Sequence, residues 1–253
     1  MLFKKAEYKT VFFGSYPQTI KDESIRILNK DSNTGYYLGT DGEKYELLKA
    51  NPFDKGVKFS NGEEIIKGKE YYFKVEPITF MVLSETEDDM FLFTKDLLDV
   101  SKYDDKSNNY EKSYIRSYLN NDFLYKAFNE KERDLIKITK VKNDSESTGV
   151  DNNPNISPDT NDKVFLLSYE EVLQSKYKFT DTDRFCLERQ KVGTDFTKAK
   201  GMYLYEENGW YYLRSPIESD NISVNYVFFD GSIGLLDTNF NDGCFAFGIH
   251  IKK

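Results

Sequence analysis

One histidine, two cysteines, one tryptophan and six prolines occur among 253 residues, and each shortage closes a class of chemistry. A Ser-His-Asp or Cys-His arrangement would have to use His250, flanked by Ile249 and Ile251 near the end of the chain. In the alternating FGIHIK that position falls on the exposed or edge face of a last strand. Zinc draws on sets of His and Cys, which three scattered residues do not supply. Cys186 and Cys244 are too few for a disulfide framework; two unlinked, mostly buried thiols are expected. Neither G-x-x-x-x-G-K-[ST] nor G-x-G-x-x-G occurs, so dedicated phosphate cradles are absent. The longest apolar runs, VFLL and FMVL, are too short to cross a bilayer. MLFKKAEYKTVFF lacks an apolar block of signal-peptide length, so the chain reads as cytoplasmic as numbered, or extracellular if a leader preceded it.

Acid and aromatics are plentiful. Asp and Glu number 43 against 35 Lys and Arg, a formal charge of −8, and no basic block overrides that field, which argues against a nucleic-acid partner. Twenty Phe and 19 Tyr mark a globular chain rather than a disordered one. Paired carboxylates for glycoside chemistry are numerous, and nothing singles one pair out. No cofactor is implied, with calcium left open because the polar stretch 143–162 offers Asp151, Asn152, Asn153, Asn155, Asp159, Asn161 and Asp162. That stretch lacks the D-x-[DN]-x-[DN]-G order of a calcium loop.

Residues 8–95 read mainly as antiparallel strands, with a turn over Gly14–Pro17, an Asp41-Gly42 hairpin, and MVLSETEDDMFLFT as two strands around an acidic turn. Residues 110–200 change period. SYIRSYLNNDFLYKAFNEKERDLI spaces Ile115, Leu119, Phe123, Leu124 and Phe128 as a helix capped by Ser113, with a break at Asn120-Asn121. The polar stretch after it exceeds the usual loop length, which makes it functional or floppy. A buried strand then runs into a helix through the Ser168–Glu171 capping box. Residues 201–253 return to strands, with turns at Asn208-Gly209 and Asp230-Gly231. No repeat or Pro/Gly-rich linker divides the chain, so one domain over 1–253 is expected.

Five segments occur together in order: FFGSYPQ (12–18), YYFKVEPITFMVL (71–83), SYIRSYLNNDFLYKAF (113–128), NDKVFLLSYEEV (161–172) and WYYLRSP (210–216). With them the chain resembles a bacterial family of uncharacterised domains with signatures FGSYPQ, VEPIxWxVL, SxIRxWLN, DKVFLLS and WWLRSP. That family is similar to the C-type-lectin-like fold of formylglycine-generating enzymes and of the variable receptor-binding proteins of diversity-generating retroelements. The resemblance implies a compact α+β fold: antiparallel strands, about two main helices, long loops, and N- and C-terminal strands brought together, here after a hairpin-rich N-terminal section. Phe80, Tyr118 and Tyr211 stand where the signatures have Trp, which keeps aromatic packing. The enzyme relatives bind copper through a close cysteine pair, and Cys186 and Cys244 lie in dissimilar contexts. The E-P-N, Q-P-D and W-N-D motifs of calcium-dependent sugar binding are missing from VEPI and its surroundings.

In GWYYLRSP, alternation puts Trp210, Tyr212 and Arg214 on one strand face and Tyr211 and Leu213 on the other. A core strand whose Arg214 pairs with a carboxylate to fix a loop is expected, with Arg116 as a second structural residue; a ligand contact through Arg214 is the alternative. Contact residues of the retroelement relatives lie in the C-terminal region. By that resemblance Asn225, Tyr226, Asn239, Phe240, Asn241 and Asp242 are the candidate ligand contacts, a mixture that suits adaptable recognition; ordinary hairpin turns explain the same residues. The leading expectation is a non-enzymatic module for a protein or glycan ligand. The alternatives are a diverged formylglycine-generating-like enzyme or carboxylate hydrolase, and a structural subunit of a phage- or secretion-type assembly.

Overall fold

A computed structural model describes residues 5–253; the first four residues of MLFKKAEYKTVFF lie outside the described residues. The first strands are β1 (Thr10–Ile20), β2 (Ile27–Lys30), β3 (Tyr37–Gly39), β4 (Lys44–Lys49), β5 (Glu70–Glu85) and β6 (Asp89–Thr94). Shorter ones follow: β7 (Thr139–Val141), β8 (Thr160–Asp162), β9 (Phe165–Leu166), β10 (Lys191–Val192) and β11 (Asn208–Gly209). The last are β12 (Tyr211–Pro216), β13 (Ser223–Val227), β14 (Ile233–Asp237) and β15 (Phe247–Lys252). The helices are short: α1 (Tyr114–Tyr118), α2 (Leu124–Ala127), α3 (Glu130–Leu135), α4 (Ser145–Thr148) and α5 (Asp195–Lys200). The fold is α+β and mostly antiparallel.

The sixteen residues of β5 are the spine of an eight-stranded sheet in which seven strands run in the order β2-β3-β4-β5-β6-β15-β9 and β1 pairs β5 off that path. Phe73 and Met81 each pair β1 on one side, with β4 and β6 respectively on the other, so β4 and β6 share one edge of β5. The N- and C-terminal strands β1 and β15 therefore belong to one sheet but do not pair, with β5 and β6 between them. Aromatics fill the space beneath. Phe123 lies 4.9 Å from Tyr16, 5.4 Å from Phe245 and 4.8 Å from Phe247, ring to ring, and all four are buried. Phe80 meets Phe247 edge to face at 5.7 Å.

Several local expectations are corrected. The Gly14–Pro17 turn is instead a bulge within continuous β1: Gly14 takes φ +68°, and a Cβ there would come 2.5 Å from the Phe128 ring. The helix does not break at Asn120-Asn121 but widens into one π turn, Leu119–Phe123. The Asn120 amide donates to Arg116 C=O and Val164 C=O, and Asn121 donates to Ser117 C=O, so side chains serve carbonyls there. Ser113 caps α1 by accepting from Arg116 N–H. The Ser168–Glu171 box forms reciprocally, at 2.9 and 3.1 Å, but introduces a single 3₁₀ turn over Glu171–Leu173 rather than an α-helix. The turn expected at Asn208-Gly209 lies earlier, with Glu206 at φ +54° between Tyr205 and Asn208, and Gly209 pairs Lys191 in a strand. The Asp230-Gly231 turn is present.

Candidate functional site

The YYLRSP of that segment forms β12, which ends the order of a three-stranded sheet β12-β13-β14, and each of its residues from Tyr211 to Pro216 is buried. Arg214, 2% exposed, donates to both oxygens of Glu171, at 2.6 and 3.1 Å, and to the carbonyls of Leu166 and Lys142. Burial by itself would raise the Glu171 carboxyl; the Arg214 guanidinium outweighs it and holds the group below the ordinary carboxylate range. Arg116 makes the corresponding contact with buried Asp162 at 2.8 Å. Arg214 ties the Glu171 turn to β12, and Arg116 ties α1 to β8.

Other buried polar groups are likewise engaged. Asp99 accepts from Tyr16 Oη and Tyr118 Oη, each at 2.7 Å, from Val100 N–H and from Lys200. Among the described residues Arg189 has no carboxylate partner; its guanidinium donates to the carbonyls of Gly231, Val172, Thr180, Thr182 and Arg184. Lys191 is buried over the Phe93 ring at 3.9 Å and donates to Thr94 C=O, and burial pulls its amine well below the ordinary lysine value. His250 stacks on Phe91 at 4.5 Å, and its Nδ1 meets Asp89 Oδ2 at 2.8 Å. It is part-exposed on β15, an inner strand of the large sheet rather than an edge. Cys186 and Cys244 are buried and free.

The polar stretch 143–162 is held by its side chains. Asn153 donates to Pro216 C=O, and Asn155 to the carbonyls of Ile217, Glu218 and Asp220. Asp159 meets Lys140 and Asn143 N–H, and Asp162 meets Arg116 and Thr160. Asp151, Asn152 and Asn161 are exposed. Among the described residues no group of three or more His, Cys, Asp or Glu is placed to hold a metal ion.

The six candidate contacts fall on two sides of the C-terminal sheet. Asn225 lines a cleft of about 440 Å³ with residues 148–150, Tyr169, Asp183, 216–219 and 233–235. Tyr226, the next strand residue, turns to the opposite face, where it packs against Trp210 at 5.6 Å and Phe228 at 5.6 Å. The aromatic row continues from Phe228 to Phe229 at 4.0 Å and from Phe229 to Tyr205 at 4.3 Å, and it ends at exposed Tyr205. Asn239, Phe240 and Asn241 are exposed on the turn after β14, and Asp242 is half-buried. Burial raises the Asp242 carboxyl, partly offset by the Trp210 indole. The turn is fixed from below, because Tyr212 Oη donates to Phe240 C=O at 3.2 Å. Sequence reasoning did not reach Glu171 as the partner of Arg214, nor the wall formed by 148–150, because both depend on contacts distant along the chain.

A larger cleft, about 1050 Å³, opens between β1, β5 and the 22–25 and 60–63 turns. Four of its five carboxylates, all but Glu23, are engaged locally: Asp22 with Ser24, Asp41 with Tyr45, Glu63 with Lys69 and Glu76 with Thr19 N–H. Among the described residues no helix is long and apolar enough to cross a membrane.

No curated protein and no solved structure matches the chain. A family match does cover residues 87–243. It takes in the segments at 113–128, 161–172 and 210–216, whereas FFGSYPQ on β1 and YYFKVEPITFMVL on β5 lie before it. The matched stretch also contains β12-β13-β14 and the 238–242 turn. That family is described as a domain of unknown function, DUF6273, and since the match spans more than half of the residues, the chain belongs to it.

Proposed function

We propose that the chain is a recognition module without a reaction of its own, and that it contacts a protein or glycan through the rim of its C-terminal sheet. One observation carries this. Phe240, 44% exposed, stands between two exposed amides, Asn239 and Asn241, on a turn whose backbone is pinned by buried Tyr212. Among the described residues no hydrogen bond engages either amide side chain. Rigid support beneath free aromatic and amide tips lowers the ordering cost of binding. The interior carboxylates and guanidiniums, by contrast, are tied to neighbours that position loops.

Screening the full chain against a glycan array and a displayed peptide library tests the proposal. A selected ligand should bind the Asn239→Ala/Phe240→Ala/Asn241→Ala variant at least tenfold more weakly, with its Tm unchanged. Equal binding by that variant and by Asn225→Ala would remove the site assignment, and turnover of an array member would remove the module.

A further inference from the structure

The outer edge of β14 carries unpaired backbone groups beside an acidic cleft, and we propose that it takes an extended peptide by strand addition. The partner is a segment of about five residues with an apolar side chain flanked by Lys or Arg. This rests on the C-terminal sheet being a recognition surface and names the class of ligand for the side that Asn225 faces.

The register fixes which groups are open. Phe228 N–H donates to Ser232 C=O at 2.8 Å, and Thr238 N–H donates to Ile222 C=O at 2.9 Å. Between those bonds β13 and β14 pair without a shift, Asn225 opposite Leu235 and Tyr226 opposite Gly234. Hydrogen-bonded and non-bonded pairs alternate in an antiparallel ladder, so Ser232, Gly234, Leu236 and Thr238 face β13. Ile233, Leu235 and Asp237 then turn their N–H and C=O away from it. The first outward rung is already filled by the chain itself, since Ile233 N–H donates to Asp183 C=O at 2.7 Å. Tyr212 Oη reaches Asp237 C=O at 3.4 Å. Among the described residues the carbonyl of Ile233, both groups of Leu235 and the N–H of Asp237 have no partner. They form a run of ladder positions continuing past Asp183, and the edge has neither the proline nor the lysine that usually blunts such a strand.

The surroundings select the peptide. Leu235 is 62% exposed and, with Ile233, Val150 and Ile217, gives the cleft apolar ground for one side chain. Asp183 and Glu218 line the same cleft, no lysine or arginine does, and neither carboxylate has an ion-pair partner among the described residues. Asp237 lies at the far end of the edge. A basic peptide is attracted along its whole length, while an acidic one is repelled.

The probe is a fluorescein-labelled KLKVK peptide, compared with an ELEVE peptide and with KLKVK carrying N-methyl groups at alternate backbone nitrogens. Binding to the full chain should weaken at least tenfold for either altered peptide. Leu235→Pro removes an outward N–H that no internal bond uses, a change edge strands tolerate, and should abolish KLKVK binding with the Tm within a few degrees. Glu218→Lys should weaken KLKVK and strengthen ELEVE, which tests the charge element even if the proline variant fails to fold. Equal affinity for the N-methylated peptide, or no binding of KLKVK, overturns strand addition. A dimer in sedimentation that Leu235→Pro dissociates also overturns it, by assigning the edge to a second copy. Ligands from the array or library that depend on Phe240 but not on Leu235 would leave the recognition module standing without this edge.

Discussion

Changing Arg214 to methionine leaves the Glu171 carboxylate beneath β12 with no cation and removes the donors to Leu166 C=O and Lys142 C=O. Removing one partner of a buried ion pair costs about 3–5 kcal/mol. At roughly 2–4 °C per kcal/mol for a chain of this size, the Tm should fall by about 6–20 °C at pH 7. Glu171→Gln keeps an oxygen for the Ser168 N–H and for one guanidinium bond, so its cost should be smaller, about 1–3 kcal/mol. The double variant should then cost less than the sum by about 0.5–3 kcal/mol, because the second change relieves what the first exposed. The pH dependence has a definite sign. Arg214 holds Glu171 below its unfolded value, so the stability of the pair is fully present above about pH 4.3 and is lost as pH falls through the lower folded value. In Arg214→Met the guanidinium no longer opposes burial, which pushes Glu171 upward against only the Ser168 N–H and His250. The gap between wild type and variant should therefore be widest near neutrality and narrow toward pH 3.5. Differential scanning calorimetry over that range measures it. A shift below about 2 °C at pH 7, or a gap that does not change with pH, would refute the assignment of Arg214 and Glu171 as the clamp.

Glycine positions give a second contrast, read by urea unfolding. Gly231→Ala, at φ +79° with its Cβ 1.9 Å from Cys186 C=O, should cost more than about 2 kcal/mol, whereas Gly42→Ala, at φ +82° with open space, should cost about 1–2 kcal/mol. Lys191→Met removes an amine whose folded value lies below its unfolded one, so the penalty it lifts grows as pH falls from about 10.4. The Tm difference should favour the variant more at pH 7 than at pH 9.5, and the reverse slope would refute the burial argument. A disulfide-exchange reagent should find no reactive thiol in the native chain and both Cys186 and Cys244 after denaturation; rapid native reaction of either would contradict their burial.

Elements governed by neighbours in sequence were legible. Alternation marked the strands, Asp41-Gly42 and Asp230-Gly231 marked turns, and Ser113 and the Ser168–Glu171 box marked chain reversals into helical turns. What failed was decided by tertiary contacts. The pattern at Asn120-Asn121 looked like a stop because Asn is a poor helix former, yet its amide is held by Val164 and Lys163 from another segment. The Asn208-Gly209 turn lost to pairing of Gly209 with Lys191. For the candidate site, the sequence indicated which segment carries amides and aromatics. It did not indicate that Leu235 lies on an open edge, since that follows from strand order.

The β6 strand has a consequence for how this family's residues can be cut and transplanted. It is hydrogen-bonded along one side to β5 and along the other to β15, and both of those neighbours lie beyond 87–243. Excised at those limits, the segment would present two bare edges and the unsheltered rings of Phe91 and Phe93 to water. In this chain the segment completes its sheet only with β5 from before it and β15 from after it, so a fragment meant to fold alone has to reach past both limits.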